Sequence, residues 1–545
     1  MRRAAAFFPL VVLAACVTPE RQRISTADSS VIQCPQVQAD GAGDCEVLHS
    51  GGRQLLITAT ILAGDKIIEN GSVLVDSTGH IAQLGCDLPT AADTTVLVCP
   101  NAIVTPGFVN AHDHIYYNHA APSAPPTERY AHRHQWRLGL EGHTQPAYER
   151  ATSDEQLAWS ELRHVLAGTT SIAGMGGVPS LARNLEMQER DDGDELPTAF
   201  ATVFPLGDAE GLMLDDGCDY PAAISPEELG TASAFQAHVA EGVDSRAQNE
   251  IGCVMNDLEF AADLPRAFVH MVGTSAADAV ALRDADVSIV WSPRSNIALY
   301  GHTANVTMFD RLGMNIALST DWLPSGSMNM LRELRCAADY SRDYLDGYFS
   351  SLQLWQMATV DSARSFALQD QIGSIAPGMI ADIAVFADGP SADPYEDLIY
   401  AADSDMLLTL RAGEVLAGRS EILGAMGLRC DELPAELTCG RVLGVCGSAQ
   451  REFDLESVLA ANSNWYPLMA CGAVPDSEPT CTPSWPGQFD GVAIIGQDDD
   501  GDGLANNIDN CPRVFNPPRP MDDGRQTDFD LDGLGDACDT NPLEQ

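Results

Sequence analysis

Lysine is almost missing from this chain. Lys66 stands alone, and the other 29 basic residues are arginines. Positive charge is scarce altogether: 30 Lys plus Arg face 78 Asp plus Glu, a formal net charge of -48. Such a surface repels phosphate backbones, so nucleic acid is excluded as a partner. No apolar run beyond the N-terminus reaches ~18 residues, so no spanning helix is expected. The sequence has no CxxC pair, which argues against a zinc ribbon. No GxGxxG follows the first strand of the central region, which counts against a doubly wound nucleotide fold. What is present is a 45% apolar composition over 545 residues. That excludes global disorder and points to two to four domains.

The chain begins MRRAAAFFPLVVLAAC. Arg2 and Arg3 precede an apolar stretch too short to span a bilayer, which reads as an export signal over residues 1–15. Its end, Leu13-Ala14-Ala15-Cys16, resembles a bacterial lipobox. The resemblance implies cleavage before Cys16, lipidation of its thiol and a tether at the periplasmic or cell-surface side of a membrane. An ordinary secretory signal is the competing reading. Either way the protein is exported, and the other fourteen cysteines form an even set suited to disulfides. Neighbours in sequence suggest Cys34 with Cys45, Cys86 with Cys99, and Cys511 with Cys538.

Residues 16–52 are polar and read as a tether. From residue 53 to 104, short β-rich runs such as LLITATIL and GSVLVD alternate with turn residues. Similar runs return over 372–420, and the two segments are expected to join as one composite β-sandwich. Between them, residues 105–371 alternate strand and helix. Ser153 can cap DEQLAWSELRHVLA, and Ser275 can cap SAADAVALRDA. TTSIAG, FVHMV, VSIVWSP and NIALSTD read as strands. This alternation fits an α/β (β/α)8 TIM-like barrel. A small Cys-rich region follows over 421–490, with no chemistry to assign. Residues 491–545 carry 13 acids and three arginines, a separate acidic module.

Four stretches carry candidate chemistry. In VTPGFVNAHDHI, His112 and His114 are two residues apart, so one strand face can present both to an ion. A core or solvated pair is the alternative. In FQAHVAEG, His238 ends an apolar strand, and Glu241 joins it only if the chain has already turned at Gly242. Taken alone, His270 within FVHMV reads by default as a satisfied core histidine. Asp321 follows an apolar strand and needs a charge partner, a helix start or solvent. Together the order is HxH, HxxE, H, D, each at a strand's C-terminal end, where barrel enzymes place their active sites.

PGFVNAHDH, AGTTSI, HVAEG, WSPRSN, STDWLPSGS and the closing MATVDSARSFAL…IGSIAPGMIADIAVF together resemble the amidohydrolase superfamily, in its cytosine deaminase and chlorohydrolase-like branch. The resemblance spans about residues 54 to 418. It implies that His112, His114, His238 and Asp321 bind one catalytic transition metal, with Glu241, His270 and Asp321 as catalytic groups. It implies a metal-activated hydroxide attacking a non-peptide carbon–nitrogen bond of a small nitrogenous or heterocyclic substrate, as a deaminase or amidohydrolase. Dehalogenation is the alternative within the family. Binuclear relatives bridge two metals with a carboxylated barrel lysine. Lys66 lies outside the barrel, so a single ion is expected, zinc before iron. A histidine-rich insertion carries His119, His132, His134 and His143 with Arg129, Arg133 and Arg137. These are read as surface residues, with pocket lining as the alternative. Arg294, Ser295 and Asn296 are open between substrate contact and structural turn.

The tail repeats one pattern. Asp498, Asp500, Asp502, Asn506 and Asp509 precede the first cysteine of the module. Asp528, Asp530, Asp532, Asp536 and Asp539 surround the second. Hard Ca2+ takes six to eight oxygens from a tight loop, and Gly503 and Gly533 allow the turns. The spacing resembles thrombospondin type 3 repeats, and it lacks the bidentate Glu of an EF-hand. A disordered acidic tail is the bland alternative. A non-catalytic calcium-binding surface or adhesion protein with an inactive barrel is the competing class of function.

Overall fold

The computed structural model describes residues 29–37, 43–122, 128–174, 177–178, 181–186, 196–222, 224–446, 454–462, 464–472 and 474–543. The expected signal segment and Cys16 lie outside these residues. Among the described residues, no helix is long and apolar enough to cross a membrane.

Eight short parallel strands form the centre: β1 Phe108–Asn110, β2 Thr169–Ile172, β3 Arg183–Asn184, β4 Phe200–Thr202, β5 Phe235–Val239, β6 Arg266–His270, β7 Val287–Trp291 and β8 Ile316–Leu318. β1 to β3 pair in order, as do β4 to β8. The ring closes at both seams. Ala199 N donates to Leu185 O at 2.9 Å between β3 and β4, and Ala111 N to Leu318 O at 3.3 Å between β1 and β8. Every residue of β5, β6, β7 and β8 is buried, as expected of parallel strands covered on both faces. Helices Asp154–Val165, Ser245–Asp257, Ala276–Asp284 and Met330–Tyr344 lie between or after strands. Ser275 caps its helix through a reciprocal bond with Asp278, a device worth about 1 kcal/mol. This is the expected barrel.

The composite β region is a single sheet of eleven strands. Strand Thr95–Pro106 pairs antiparallel with Ile383–Ala387, from Ile383 opposite Pro106 to Ala387 opposite Ala102. The early and late segments therefore do join. Residues from both halves, including Ile57, Val73, Val104, Val385 and Leu410, share one apolar cluster.

Three expectations need correction. The tether assigned to 16–52 already contains strands Ser30–Gln33 and Glu46–His49, which pair with Lys66–Val75 and Thr95–Pro106. The Cys-rich region extends the same sheet with Leu443–Val445 and Asp431–Glu432. Sequence proximity also mispaired two disulfides. The bonds run Cys34–Cys86 and Cys45–Cys99. The cause is strand pairing: Glu46 sits opposite Val98, so Cys45 meets Cys99. Cys511–Cys538 pairs as expected. Cys218–Cys253, Cys336–Cys481, Cys430–Cys446 and Cys439–Cys471 complete the set, so all fourteen cysteines from Cys34 onward are bonded. Peptide mapping of the unreduced protein is expected to recover Cys34 linked to Cys86 and Cys45 to Cys99; a Cys34–Cys45 peptide would contradict this sheet order.

Candidate metal centre

The end of β1 runs directly into His112 and His114. β5 carries His238, β6 ends at His270, and Asp321 follows β8. All five therefore meet at the carboxyl rim. Getting them there bends the backbone. Ala240, His270, Met271 and Asp321 have φ of 53°, 76°, 50° and 63°, a left-handed conformation costing about 1–3 kcal/mol each for such residues. Neighbouring bonds hold it: Gly273 N to Ala240 O at 3.0 Å, and Asp321 N to His112 O at 3.1 Å. The turn at Ala240 is what lets Glu241 share the site with His238.

The four expected ligands converge. His112 Nε2 lies 3.2 Å from His114 Nε2 and 3.4 Å from Asp321 Oδ1. His114 Nε2 lies 3.3 Å from His238 Nε2 and 3.7 Å from Asp321 Oδ1. A tetrahedron with metal–nitrogen bonds of 2.0–2.1 Å has edges of about 3.3–3.4 Å. Three of these separations match such edges and the His114–Asp321 one is longer, so the donor atoms are close enough to share one ion. Protonation agrees. Burial, then the neighbouring His112, pushes His114 down to about 4, and burial with the surrounding imidazoles pushes His238 well down. Neutral imidazole is the coordinating form. Burial works to raise Asp321, but His270, His112 and His114 outweigh it and hold the carboxylate at about 2.

Further bonds aim these groups. His238 Nδ1 faces Thr202 O at 3.5 Å, leaving Nε2 for the ion. Ser295 Oγ donates to Asp321 Oδ2. His270 Nδ1 pairs with Asn296 Oδ1 at 2.9 Å, which turns Nε2 toward Glu241 Oε2, 3.8 Å away. Ser295 and Asn296 are therefore supports of the site. Arg294 is instead tied to Glu333 and Glu478 by buried ion pairs. Sequence reading missed Tyr300 and Trp136. Tyr300 OH donates to Glu241 Oε1 at 2.6 Å and accepts from Trp136 Nε1 at 2.8 Å. Tyr300 lies on helix Pro293–Tyr300, the continuation of the WSPRSN stretch, which was the only signal available.

The histidine-rich insertion is not a surface decoration. His119, His132, His134 and Arg133 are buried. Arg133 Nη1 donates to Val203 O at 2.9 Å, its Nη2 bonds Asp208 Oδ2 at 2.6 Å, and His134 Nε2 meets the same oxygen at 2.8 Å. Arg133 N also donates to Glu241 O at 3.0 Å. The insertion folds across the barrel mouth and helps enclose a cavity of about 290 Å³. His114, His238, Glu241, His270 and Asp321 form its floor, and Tyr117, Trp136, Tyr148 and Trp322 form an aromatic wall. Trp322 lies 5.6 Å from Tyr117 and 5.1 Å from Tyr148, ring to ring.

Residues 227–416, which span β5 to β8 and three of the convergent groups, match the Amidohydrolase family. The chain carries an amidohydrolase domain. Residues 496–519 match the thrombospondin type 3 repeat. The chain is 25% identical over 415 residues to a 5-methylthioadenosine/S-adenosylhomocysteine deaminase of Caldanaerobacter subterraneus subsp. tengcongensis, covering 66% of this chain and 91% of that protein. It is 28% identical over 399 residues to a 5'-deoxyadenosine deaminase of Methanosarcina mazei, covering 65% and 89%. In fold it resembles the zinc-complexed atrazine chlorohydrolase of Arthrobacter aurescens TC1, with a TM-score of 0.51, 19% identity, and 74% of this chain and 98% of that one covered.

In the tail, the carboxylates of Asp498, Asp500 and Asp502 cluster, as do those of Asp528, Asp530 and Asp532. The two loops share one geometry. Gly503 N bonds Asp498 Oδ2 at 3.1 Å, and Gly533 N bonds Asp528 Oδ2 at 3.0 Å. Both glycines have left-handed φ, 90° and 97°, which their lack of Cβ permits. Asp500 Oδ2, Asp509 Oδ2 and Asp530 Oδ2 are buried without a hydrogen-bond partner among the described residues, which fits oxygen donors for a hard cation. Asn506 and Asp536 instead bond backbone amides of their own loops through Oδ1, and Asp539 bonds Asn541 N.

Two variants test the centre. His238→Ala removes a donor atom, and the purified protein is expected to lose its transition metal by elemental analysis. Ser295→Ala removes one hydroxyl, which bonds Asp321 Oδ2 and the Ser325 hydroxyl, so it should fold normally and lose metal affinity by about 10–100-fold.

Proposed function

We propose that this chain hydrolyses a carbon–nitrogen bond of a small aminated heterocycle, most simply by deamination, at a mononuclear centre. The observation that carries this is the convergence of His112, His114, His238 and Asp321 at one rim with Glu241 beside them. Three imidazoles and one carboxylate suit zinc, and the sole lysine, Lys66, sits on an exposed strand position of the outer sheet, away from any bridging role. A bound Zn2+ would supply Lewis acidity, bringing the pKa of water from 15.7 to about 7. Asp321, ionised at neutral pH, takes a proton from the attacking water. Glu241, fixed by Tyr300, carries a proton to the departing nitrogen. His270, whose Nδ1 donates to Asn296 Oδ1, presents Nε2 as an acceptor to the attacking water. The aromatic wall stacks a flat ring and excludes water. The deaminase names of the relatives support an amine leaving group.

We further infer export and a lipid tether through Cys16. The seven disulfides support an oxidising compartment. The repeat module reads as a Ca2+ site. Burial first, then Asp502 and Asp509, pushes Asp500 up to about 8, and burial pushes Asp502 up to about 6. Such crowding of carboxylates calls for a divalent counter-charge.

Glu241→Gln should keep its metal and lower kcat by about 10²–10⁴-fold, scored as ammonia released from a panel of aminated heterocycles. Wild-type turnover in this variant, or chloride release from halogenated counterparts with no ammonia, would overturn the assignment. The module makes a pH prediction with a definite sign. Asp500 and Asp502 hold protons more tightly folded than unfolded, where carboxyls titrate near about 3.9. Calcium-free protein should therefore lose stability as pH rises from about 4 to about 8. Added CaCl2 should cancel that loss, read as the calorimetric transition at pH 8.

A further inference from the structure

The loops that carry Glu241 and His270 are held from outside the barrel. Val243 and Val272 each lie two residues beyond those side chains, and the C-terminal module grips both. Met521 N bonds Val243 O at 3.1 Å. Arg519 Nη1 donates to Val272 O at 2.9 Å and to Thr274 O at 3.0 Å. The rest of the guanidinium is locked by Asp522, with Nε on Oδ2 at 2.9 Å and Nη2 on Oδ1 at 3.0 Å. This fork leaves Arg519 a single pose. The loops it holds open on the left-handed residues Ala240, His270 and Met271, so their geometry depends on outside support.

The repeat in turn sets the place of Arg519. Gln526 Nε2 reaches Asp502 Oδ2 at 2.9 Å, Asp509 Oδ1 at 2.7 Å and Asn516 Oδ1 at 2.9 Å. Its Oε1 accepts from Asn510 N at 3.0 Å. One side chain thus ties the acidic loop to both ends of the segment bearing Arg519, and Cys511–Cys538 closes the module. Against the barrel, Phe515 is buried and its N donates to Tyr344 O at 2.8 Å. Thr307 Oγ and Arg311 Nη1 both bond Ala537 O at 2.6 Å. Inside the acidic loop, the unpartnered Asp500 Oδ2 is buried among Asp498 and Asp502.

We infer that Arg519 is a positioning residue for the hydrolytic site, and that Ca2+ in the Asp498–Asp502 loop holds it in place. This rests on Glu241 and His270 being the catalytic pair. With Ca2+ bound, the carboxylates around Gln526 are drawn together and the 516–526 segment is taut. Without it, their mutual repulsion loosens Gln526, and Val243, Val272 and Thr274 lose their donors. Glu241 and His270 then wander from the ion.

The test uses the full-length zinc-loaded protein, freed of calcium and titrated with CaCl2. Hydrogen–deuterium exchange is followed at residues 242–245 and 272–275, alongside kcat, KM and zinc content. Calcium is expected to slow exchange at both loops and raise kcat by about tenfold, with KM and zinc nearly constant. Arg519→Ala should exchange fast and turn over slowly at every calcium concentration. Arg519→Lys, which keeps one donor for the two carbonyls, should recover part of both. Asp500→Asn with Asp502→Asn should abolish the calcium response. Loop exchange that is identical with and without calcium, or Arg519→Ala matching wild type in exchange, would overturn the inference. Should no amine be hydrolysed at all, the functional reading fails, and the exchange measurement still decides whether the module clamps the loops.

Discussion

The convergence of three imidazoles on one ionised carboxylate, inside a closed rim of strands, is the constraint that the surrounding architecture serves. No two of these residues are adjacent in sequence, and they reach the rim from the ends of three different strands, His112 and His114 sharing one. Backbone strain at Ala240, His270 and Asp321 is the local cost. It is offset by hydrogen bonds that leave each group one orientation: Ser295 on Asp321, Asn296 on His270 and Tyr300 on Glu241. Two of these three supports come from the start of one helix, Pro293–Tyr300, and the third from its end. That helix therefore orients Asp321, His270 and Glu241 at once.

A chain with one lysine must make its long-range ties with arginine, and it does so from the inside. Arg163 donates to Pro467 O, Asn118 O and Tyr466 O at 2.8, 2.6 and 3.0 Å, joining the Cys-rich region to the loop after His114. Arg183 pairs with Asp382, linking β3 to the segment that enters the outer sheet. Arg411 donates to Leu181 O at 2.6 Å across the same junction. A guanidinium offers five donors in a fixed fork, so it can satisfy several carbonyls where an ammonium would satisfy fewer. The acidic excess stays largely on the outside, while the buried arginines stitch barrel, sheet and tail together.

The barrel and the four side chains that converge at its rim were legible because their signals are local: a histidine two residues from another, a strand ending in an acid, a serine before an apolar helix. What stayed hidden depends on partners far along the chain. Nothing near Arg133 announces its buried ion pairs with Asp208 and, at 3.3 Å, Glu250, so its insertion read as surface. Cys34 and Cys45 look like partners until strand order sets Cys86 against Cys34 and Cys99 against Cys45. Ser295 and Asn296 were visible as residues, but their roles exist only once β7 lies between β6, which ends at His270, and β8, which leads to Asp321. The tail was readable as a repeat, whereas its grip on Val243 and Val272 is a property of docking alone.

That docking gives the seven disulfides and the acidic repeats a shared logic. A site whose catalytic loops lean on a small module is only as ordered as the module itself, and this module has little apolar core of its own. Cys511–Cys538 and the carboxylate loops take the place of that core, and each needs a particular medium: an oxidising one for the bond, and a calcium-rich one for the loops, since extracellular calcium modules bind at about 10⁻⁴–10⁻³ M. A reducing, calcium-poor cytoplasm offers neither. Under the export inferred above, the hydrolytic centre would reach its working geometry only after leaving the compartment where it was made. The same residues that tether the fold would thereby keep the chemistry silent until the protein has arrived.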